Sequence, residues 1–308
     1  MKIGIIGTGG VGGYFGGRLA ASGNDVTFIA RGEHLNAIKK NGLTVKSIKG
    51  DIKINPAKVS DKLDVLADCE LIILATKAYH VKDIALGLKD ILVPKTLILP
   101  LQNGVLAVDE LTEYFDKEQI LGGLCVIFSN IESPGVINHM GLEPKITFGE
   151  IDNTIKDRTL KLVTVFKNAD IACKLTDDIQ ADLWKKFIFI CLSGFGAISN
   201  AGYGLIRELP ETRQMLIDSL IEVSKIARAK NIKLEDDIVE KSMAYVDSFP
   251  VDSMSSLSRD VLTGKKSEIE YQNGTVVRFG KELGIETPVN SFIYGFVKLI
   301  EKKMRLKA

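Results

Sequence analysis

Residues 1–17 read MKIGIIGTGGVGGYFGG, a short strand-like run from Lys2 to Ile6 that feeds straight into Gly7-Thr8-Gly9-Gly10-Val11-Gly12. The spacing is G-x-G-x-x-G, and it lies after a strand and before an amphipathic stretch, where a dinucleotide needs it. Gly7 allows a tight turn, Gly9 lets a pyrophosphate approach the backbone, and Gly12 lets the helix pack close to the strand. The helix that follows presents free N–H groups and the positive end of its dipole to the phosphates. Gly7, Thr8, Gly9, Gly10, Val11 and Gly12 are therefore expected to form a cofactor loop.

A second strand is expected at Val26–Ile29, and the residues after it select the cofactor. The chain there reads Ala30-Arg31-Gly32-Glu33. A guanidinium pairs well with the 2′-phosphate of NADP, so Arg31 favours NADP(H). Glu33, two residues on, leaves recognition of the NAD ribose open.

The chain has 308 residues, more than one hydrophobic core usually serves, so two domains are expected. Hydrophobic and charged contents of 45% and 26% are those of an ordinary globular enzyme. A formal net charge of +1 argues against a nucleic-acid or membrane surface. Cys69, Cys125, Cys173 and Cys191 form no C-x-x-C pair and lie among apolar residues, so neither a metal site nor a disulfide framework is expected. The longest uncharged apolar stretch, Phe187–Ile198, is too short to cross a bilayer and reads as a buried helix. The glycines interrupt any signal-peptide core at the N-terminus, and a cytoplasmic location is the default expectation. The basic end, Glu301–Lys307, reads as a solvated helix terminus.

The first half alternates strand-like and helix-like segments. Strands are expected at Lys2–Ile6, Val26–Ile29, Leu43–Lys46, Leu71–Ala75 and Thr96–Leu99, with helices at Val11–Ser22, His34–Lys40, Val81–Lys89 and Val105–Tyr114. This is the rhythm of a parallel, doubly wound sheet. Antiparallel additions follow at Ile120–Ser129, Gly135–His139 and Lys145–Phe148, turning at Ser133-Pro134-Gly135 and Gly141. A helix over Asn153–Asn168 and a strand over Ile171–Leu175 close this half. From about Asp177 helical periodicity takes over: Ala181–Ile198, Thr212–Lys230, Leu234–Asp247, Ser256–Leu262, Lys266–Leu283 and Val289–Arg305. The expected fold is thus α/β, a Rossmann-type dinucleotide-binding domain over residues 1–176 followed by an all-helical domain over 177–308, with the active site in a cleft between them.

Chemistry-bearing residues cluster after the strands. Thr76-Lys77-Ala78-Tyr79-His80 follows the fourth strand and Leu101-Gln102-Asn103-Gly104 the fifth, at the end of the sheet where ligands bind. Exposed-loop lysine and Asn-Gly turn chemistry are the plainer readings of Lys77 and Asn103 taken singly. In the helical half, Trp184-Lys185-Lys186 precedes an apolar run, and a lysine so placed can be desolvated enough to protonate a ketone oxygen. A simple helix surface explains both lysines too. Glu268 and Glu270 are expected on the Lys266–Leu283 helix, where a solvated charged face is the plainer reading. Ser253–Ser258 is a serine-rich turn suited to capping the next helix.

Together these pieces resemble one family, the ketopantoate (2-dehydropantoate) reductases, along essentially the whole chain. The carriers are the glycine loop, Arg31, Thr76-Lys77-Ala78, Gln102-Asn103-Gly104, Trp184-Lys185-Lys186, and Ser255-Ser256-Leu257-Ser258-Arg259-Asp260 with Glu268 eight residues on. The resemblance implies NADPH-dependent reduction of a small 2-oxo acid to the 2-hydroxy acid, on the route to pantothenate and coenzyme A. It implies Lys186 as the acid that assists carbonyl reduction and Glu268 as a residue tied to catalysis that helps hold substrate and also touches cofactor. It implies Asn103 and Ser256 in the substrate site, Asn103 against the cofactor as well, and Lys77 near cofactor and substrate.

The chain departs from the family pattern where the family holds the substrate's polar groups. Asparagines common four and eight residues after the catalytic lysine are Ile190 and Gly194 here. An asparagine three before the cleft serine is Ser253, and a glutamine three after Lys77 is His80. An apolar Ile190 suits a bulkier or less polar acid, whereas Ser253, Asn200 or water can replace the missing contacts. Two other classes stay open: a D-2-hydroxyacid dehydrogenase for a branched or aromatic 2-oxo acid, and a non-catalytic NADP-binding sensor. No nucleic acid, membrane or metal partner is expected, and the chain is read as a monomer or homodimer.

Overall fold

In the computed structural model, residues 1–306 are described, so Lys307 of the basic end lies outside the described residues. The chain forms two compact units, Met1–Gln102 with Leu106–Ile179, and Asn103–Val105 with Gln180 onward. The boundary falls at residue 179 rather than 176, and the segment after the fifth expected strand is assigned to the helical unit.

The first unit runs β1 (Lys2–Ile6), α1 (Gly10–Ala21), β2 (Asp25–Ile29), α2 (Gly32–Asn41), β3 (Leu43–Ser47), β4 (Ile52–Ile54), β5 (Lys58–Ser60), β6 (Leu71–Leu74), α3 (Val81–Leu88), β7 (Leu97–Pro100), α4 (Ala107–Thr112), β8 (Leu121–Ser133), β9 (Val136–Glu150), α5 (Asp157–Asn168) and β10 (Ala172–Leu175). One sheet has the order β5-β2-β1-β6-β7, all parallel. Chain order reverses between β1 and β6, which makes their carboxyl ends the switch point where ligands bind such sheets. The second sheet has the order β10-β9-β3-β4, with β8 antiparallel to β9.

Two expectations need correction. Leu43–Lys46 is a strand, but it pairs with β4 and β9 in the second sheet. Its place beside β2 is taken by β5, three residues whose pattern is too short to read. Gly141 is no turn: β9 runs through it, and the irregularity is absorbed where the register shifts between Val126 and Phe128.

Helix α1 packs against strands of both sheets. A Cβ on Gly16 would lie 2.5 Å from Phe28 and 2.8 Å from Ile5, while one on Gly13 would lie 2.6 Å from Ile137 and one on Gly17 2.8 Å from Val45. Glycines four apart therefore line two faces, one toward each sheet. This explains why the stretch is less amphipathic than a surface helix: everything from Gly12 to Leu19 is buried.

The second unit continues with α6 (Ile179–Ile190), α7 (Ser193–Ser199), α8 (Tyr203–Glu208), α9 (Pro210–Ala229), α10 (Ile238–Asp247), α11 (Ser256–Leu262), α12 (Asn273–Leu283) and α13 (Pro288–Arg305). The expected helix Ala181–Ile198 is two helices broken at Cys191-Leu192. The expected Lys266–Leu283 helix begins only at Asn273, because Glu268–Gln272 forms a turn with Tyr271 N and Gln272 N both donating to Glu268 O. Among the described residues no helix is long and apolar enough to cross a membrane.

A buried polar chain crosses the helical core. Glu222 of α9 accepts from Val289 N at 2.8 Å, Asn290 N at 3.0 Å and Asn290 Nδ2 at 2.7 Å, so a carboxylate from one helix caps the start of another. Asn273 Nδ2 donates to Asn290 Oδ1 at 2.9 Å and to Cys191 O at 2.8 Å. Glu222→Ala should therefore leave buried donors unpaired and lower stability by about 1–3 kcal/mol. Urea denaturation at neutral pH measures this, and an unchanged midpoint would contradict the cap.

Candidate active site

The glycine loop is tied down from one side. Gly7 N and Thr8 N both donate to Ile29 O at 3.3 and 3.2 Å, and Thr8 Oγ1 donates to the same oxygen at 2.8 Å. Gly7 has φ +94°, and a Cβ there would meet Thr76 Cγ2 at 2.7 Å, so only glycine suits the turn. A Cβ on Gly12 would run into Gly7 O, as close helix packing requires. Gly9 differs: no atom lies within 4 Å of where its Cβ would stand, so the loop is open at the residue expected to face the pyrophosphate.

Around this opening the protein leaves polar atoms unsatisfied. Thr76 Oγ1 after β6, Gln102 Oε1 after β7 and Ser129 Oγ on β8 are buried with no hydrogen-bond partner among the described residues. Ser129 O and Oγ stand 2.5 and 2.9 Å from a Cβ placed on Gly10, so β8 covers the first turn of α1. Buried polar groups are normally paired, so two unpaired ones at the carboxyl end of the parallel sheet, with Ser129 of the second sheet beside Gly10, mark a place for a polar ligand. Open Gly9, the free amides of α1 and these groups fit a dinucleotide pyrophosphate. Arg31 is exposed just after β2, at the N-cap of α2, and Gly32 beside it has open space on its Cα. Lys77 is half-buried directly after β6 and engaged in an interaction.

In the second unit the two lysines separate. Lys185 Nζ donates to Glu235 at 3.0 Å, a surface ion pair. Lys186 is half-buried, about 100° further round α6, and shares its face with Ile190 one turn on. The two glutamates separate likewise. Glu270 binds Tyr294 and Lys298 of α13; burial opposes its ionisation, and the Lys298 ammonium with the Tyr294 hydroxyl outweighs it, holding the carboxyl below its usual pKa. Glu268 is only 4% exposed, heads the turn before α12 and is engaged in an interaction of its own.

Other contacts assemble these residues. Gly104 (φ +104°) lets the Asn103–Val105 segment approach the Glu268–Gln272 turn, where a Cβ would stand 3.0 Å from Tyr271 O. Asn273, next after that turn, reaches Cys191 O at the end of α6. Asn103, Glu268 and the helix bearing Lys186 are thus linked within one unit. The serine-rich segment caps α11 as expected: Ser255 Oγ accepts from Ser258 N at 3.0 Å, and Ser258 Oγ donates to Ser193 O at 2.7 Å. Ser256 is exposed at the first turn of α11, and Ser253 is half-buried with its carbonyl accepting from Tyr203 N.

Gly194 is a correction. The direction its side chain would take is filled by Ile293 of α13, so the missing side chain opens no space for a larger acid. Ile190 belongs to the same hydrophobic core and is 8% exposed. Asn273, Ser129 and His34 were not singled out from sequence. Asn273 and Ser129 lie outside any fixed motif spacing, and only contacts across the fold reveal them.

Residues 3–153 match the family described as ketopantoate reductase PanE/ApbA, and residues 178–301 match its C-terminal domain. An uncharacterized oxidoreductase, YkpB, of Bacillus subtilis is 30% identical over 302 residues, covering 98% of this chain and 99% of its own. The 2-dehydropantoate 2-reductase of Pyrococcus horikoshii is 30% identical over 309 residues, covering 98% of each. Among solved structures, a PanE/ApbA family ketopantoate reductase from Ralstonia eutropha superposes with a TM-score of 0.92 at 29% identity, over 99% of this chain and 100% of that one. D-mandelate dehydrogenase, solved with NADH and anilino(oxo)acetate, has a TM-score of 0.89 at 24% identity over 99% of this chain and 100% of that one, a likeness of fold alone.

The open face of Gly9 generates a sharp expectation. Gly9→Ala should still fold, because its φ of −83° and surroundings accept a methyl group, with a loss of no more than about 1 kcal/mol from the poorer N-cap. The same methyl should weaken dinucleotide binding by tenfold or more, on the order of 1–3 kcal/mol for overpacking a close contact. Fluorescence titration beside a melting curve measures both. Unchanged affinity would move the pyrophosphate elsewhere.

Proposed function

Since the chain belongs to the ketopantoate reductase PanE/ApbA family and is an oxidoreductase acting on a CH–OH group, we propose that it reduces 2-dehydropantoate to pantoate with NADPH, on the route to pantothenate. The observation that carries this reading is the linkage of Asn103, Glu268 and the Lys186 helix through Gly104 and Asn273.

When bound, NADPH supplies a hydride to C2 of the 2-oxo acid. The chain's own part is charge control. As the carbonyl carbon gains the hydride, its oxygen gains negative charge, and Lys186 Nζ donates a proton to it. Once the 2-hydroxy acid has formed, the lysine would regain its proton from solvent. Asn103 positions the carbonyl group by hydrogen bonding, and Ser256 and Ser253 offer hydroxyls to the acid's polar end. Glu268, kept in a fixed turn, accepts from hydroxyl groups on cofactor or substrate. Arg31 pairs with the 2′-phosphate.

A second reading rests on Ile190. An apolar side chain one turn from Lys186 favours a branched or aromatic 2-oxo acid, as in a D-2-hydroxyacid dehydrogenase. Purified protein assayed with ketopantoate, 2-oxoisocaproate and phenylglyoxylate, each with NADPH and NADH, separates the readings by kcat/KM. Ketopantoate should lead; a preference for phenylglyoxylate reverses the assignment. Lys186→Ala should lower kcat on the order of 100-fold, the scale of a lost general acid, with cofactor affinity kept. Full turnover in that variant removes Lys186 from the chemistry. Arg31→Ala should weaken NADPH on the order of tenfold or more and leave NADH unchanged, since the lost bond is charge-assisted. Equal effects on both cofactors would assign Arg31 another role.

A further inference from the structure

His34 lies in the first turn of α2, three residues after Arg31, and joins three segments of the first unit. Its Nε2 is 2.8 Å from Thr8 O, and its Nδ1 is 3.0 Å from the amide nitrogen of Gly135 in the β8–β9 turn. The Gly135 amide can only donate, so Nδ1 accepts and the ring proton sits on Nε2, which donates to the Thr8 carbonyl. The hydrogen bonds alone set the tautomer. Gly135 is itself fixed, its carbonyl accepting from Thr44 N of β3 at 2.9 Å. Burial holds the imidazole below its usual pKa against the opposing Thr8 bond, in keeping with a neutral ring.

The consequence falls on the peptide between Thr8 and Gly9. A trans peptide points its N–H opposite to its C=O. Holding Thr8 O against α2 therefore turns Gly9 N–H away from α2, at the residue whose surroundings are open. Every polar group of Thr8 is then committed: its N–H and hydroxyl to Ile29 O, its carbonyl to His34. The other bonds anchor the residues on either side, and among the described residues His34 is the group that holds the carbonyl of this peptide.

We propose that His34 is a positioning residue for the cofactor loop, which orients the Thr8–Gly9 peptide so that its N–H is aimed at the dinucleotide pyrophosphate. This rests on the dinucleotide-binding reading given above. Both ring nitrogens of His34 are engaged by the protein itself, so its effect falls on cofactor affinity rather than on the chemical step.

The test is NADPH titration by fluorescence without substrate, on the full chain, with melting curves and steady-state kinetics in parallel. His34→Phe keeps a ring without either hydrogen bond, and His34→Gln restores a donor and an acceptor about as far apart as the ring nitrogens. Phe should raise the Kd for NADPH on the order of tenfold, the scale of one lost hydrogen bond, with kcat at saturating cofactor and the KM for the 2-oxo acid within about twofold. Gln should recover most of that affinity. Wild-type affinity in the Phe variant overturns the proposal. So does a lowered kcat with unchanged Kd, or an equal loss in Phe and Gln. Wild-type protein that binds no dinucleotide overturns the underlying reading instead.

Discussion

The close approach of α1 to strands on both of its sides is the constraint on which the first unit depends. Side chains at positions 12 and 16 would collide with β1, β2 and the turn, and side chains at 13 and 17 with β9 and β3. Four glycines let one helix lie against a parallel sheet and a mixed sheet at once. The arrangement fixes where the helix starts, and hence where its unpaired amides emerge. Glycines weaken a helix taken alone, and burial from Gly12 to Leu19 compensates. The position of the open Gly9 turn and the unit's packing are thus one feature.

In the helical unit the corresponding role falls to a polar chain. Glu222, Asn290 and Asn273 join α9, α13, α12 and the end of α6 through hydrogen bonds of 2.7–3.0 Å. The side-chain amide hydrogens of Asn273 and Asn290 and the Glu222 carboxylate are all paired in this network, while Asn273 Oδ1 is buried without a partner among the described residues. Here it holds the turn that carries Glu268 against the helix that carries Lys186. Lys185 pairs with Glu235 and Glu270 with Lys298 at the surface, while Lys186 and Glu268, close to them in sequence, are engaged in other interactions.

Most of the parallel sheet was legible because β1, β2, β6 and β7 are apolar runs bounded by turn residues. What was misread followed from short or two-faced segments. β5 has three residues and no pattern; Leu43–Ser47 has strand character that does not say which sheet it joins. In the helical unit, Cys191-Leu192 breaks a continuous apolar stretch without glycine or proline, and Glu268–Gln272 turns inside a helical periodicity. Gly194 looked like a lost polar contact, yet Ile293, a hundred residues away, occupies the space.

By itself the sequence determined the glycine-rich turn between the first strand and helix and the α/β order followed by helices, and it supplied the residues proposed here for carbonyl reduction. Those depend on local spacing: which residues turn, cap or alternate. The tertiary structure alone decided which lysine is tied up at the surface, which glutamate is buried, and that His34 reaches both Thr8 and Gly135. The reason is that burial and hydrogen-bond partnership are set by residues distant in the chain, and no spacing rule within a segment records them.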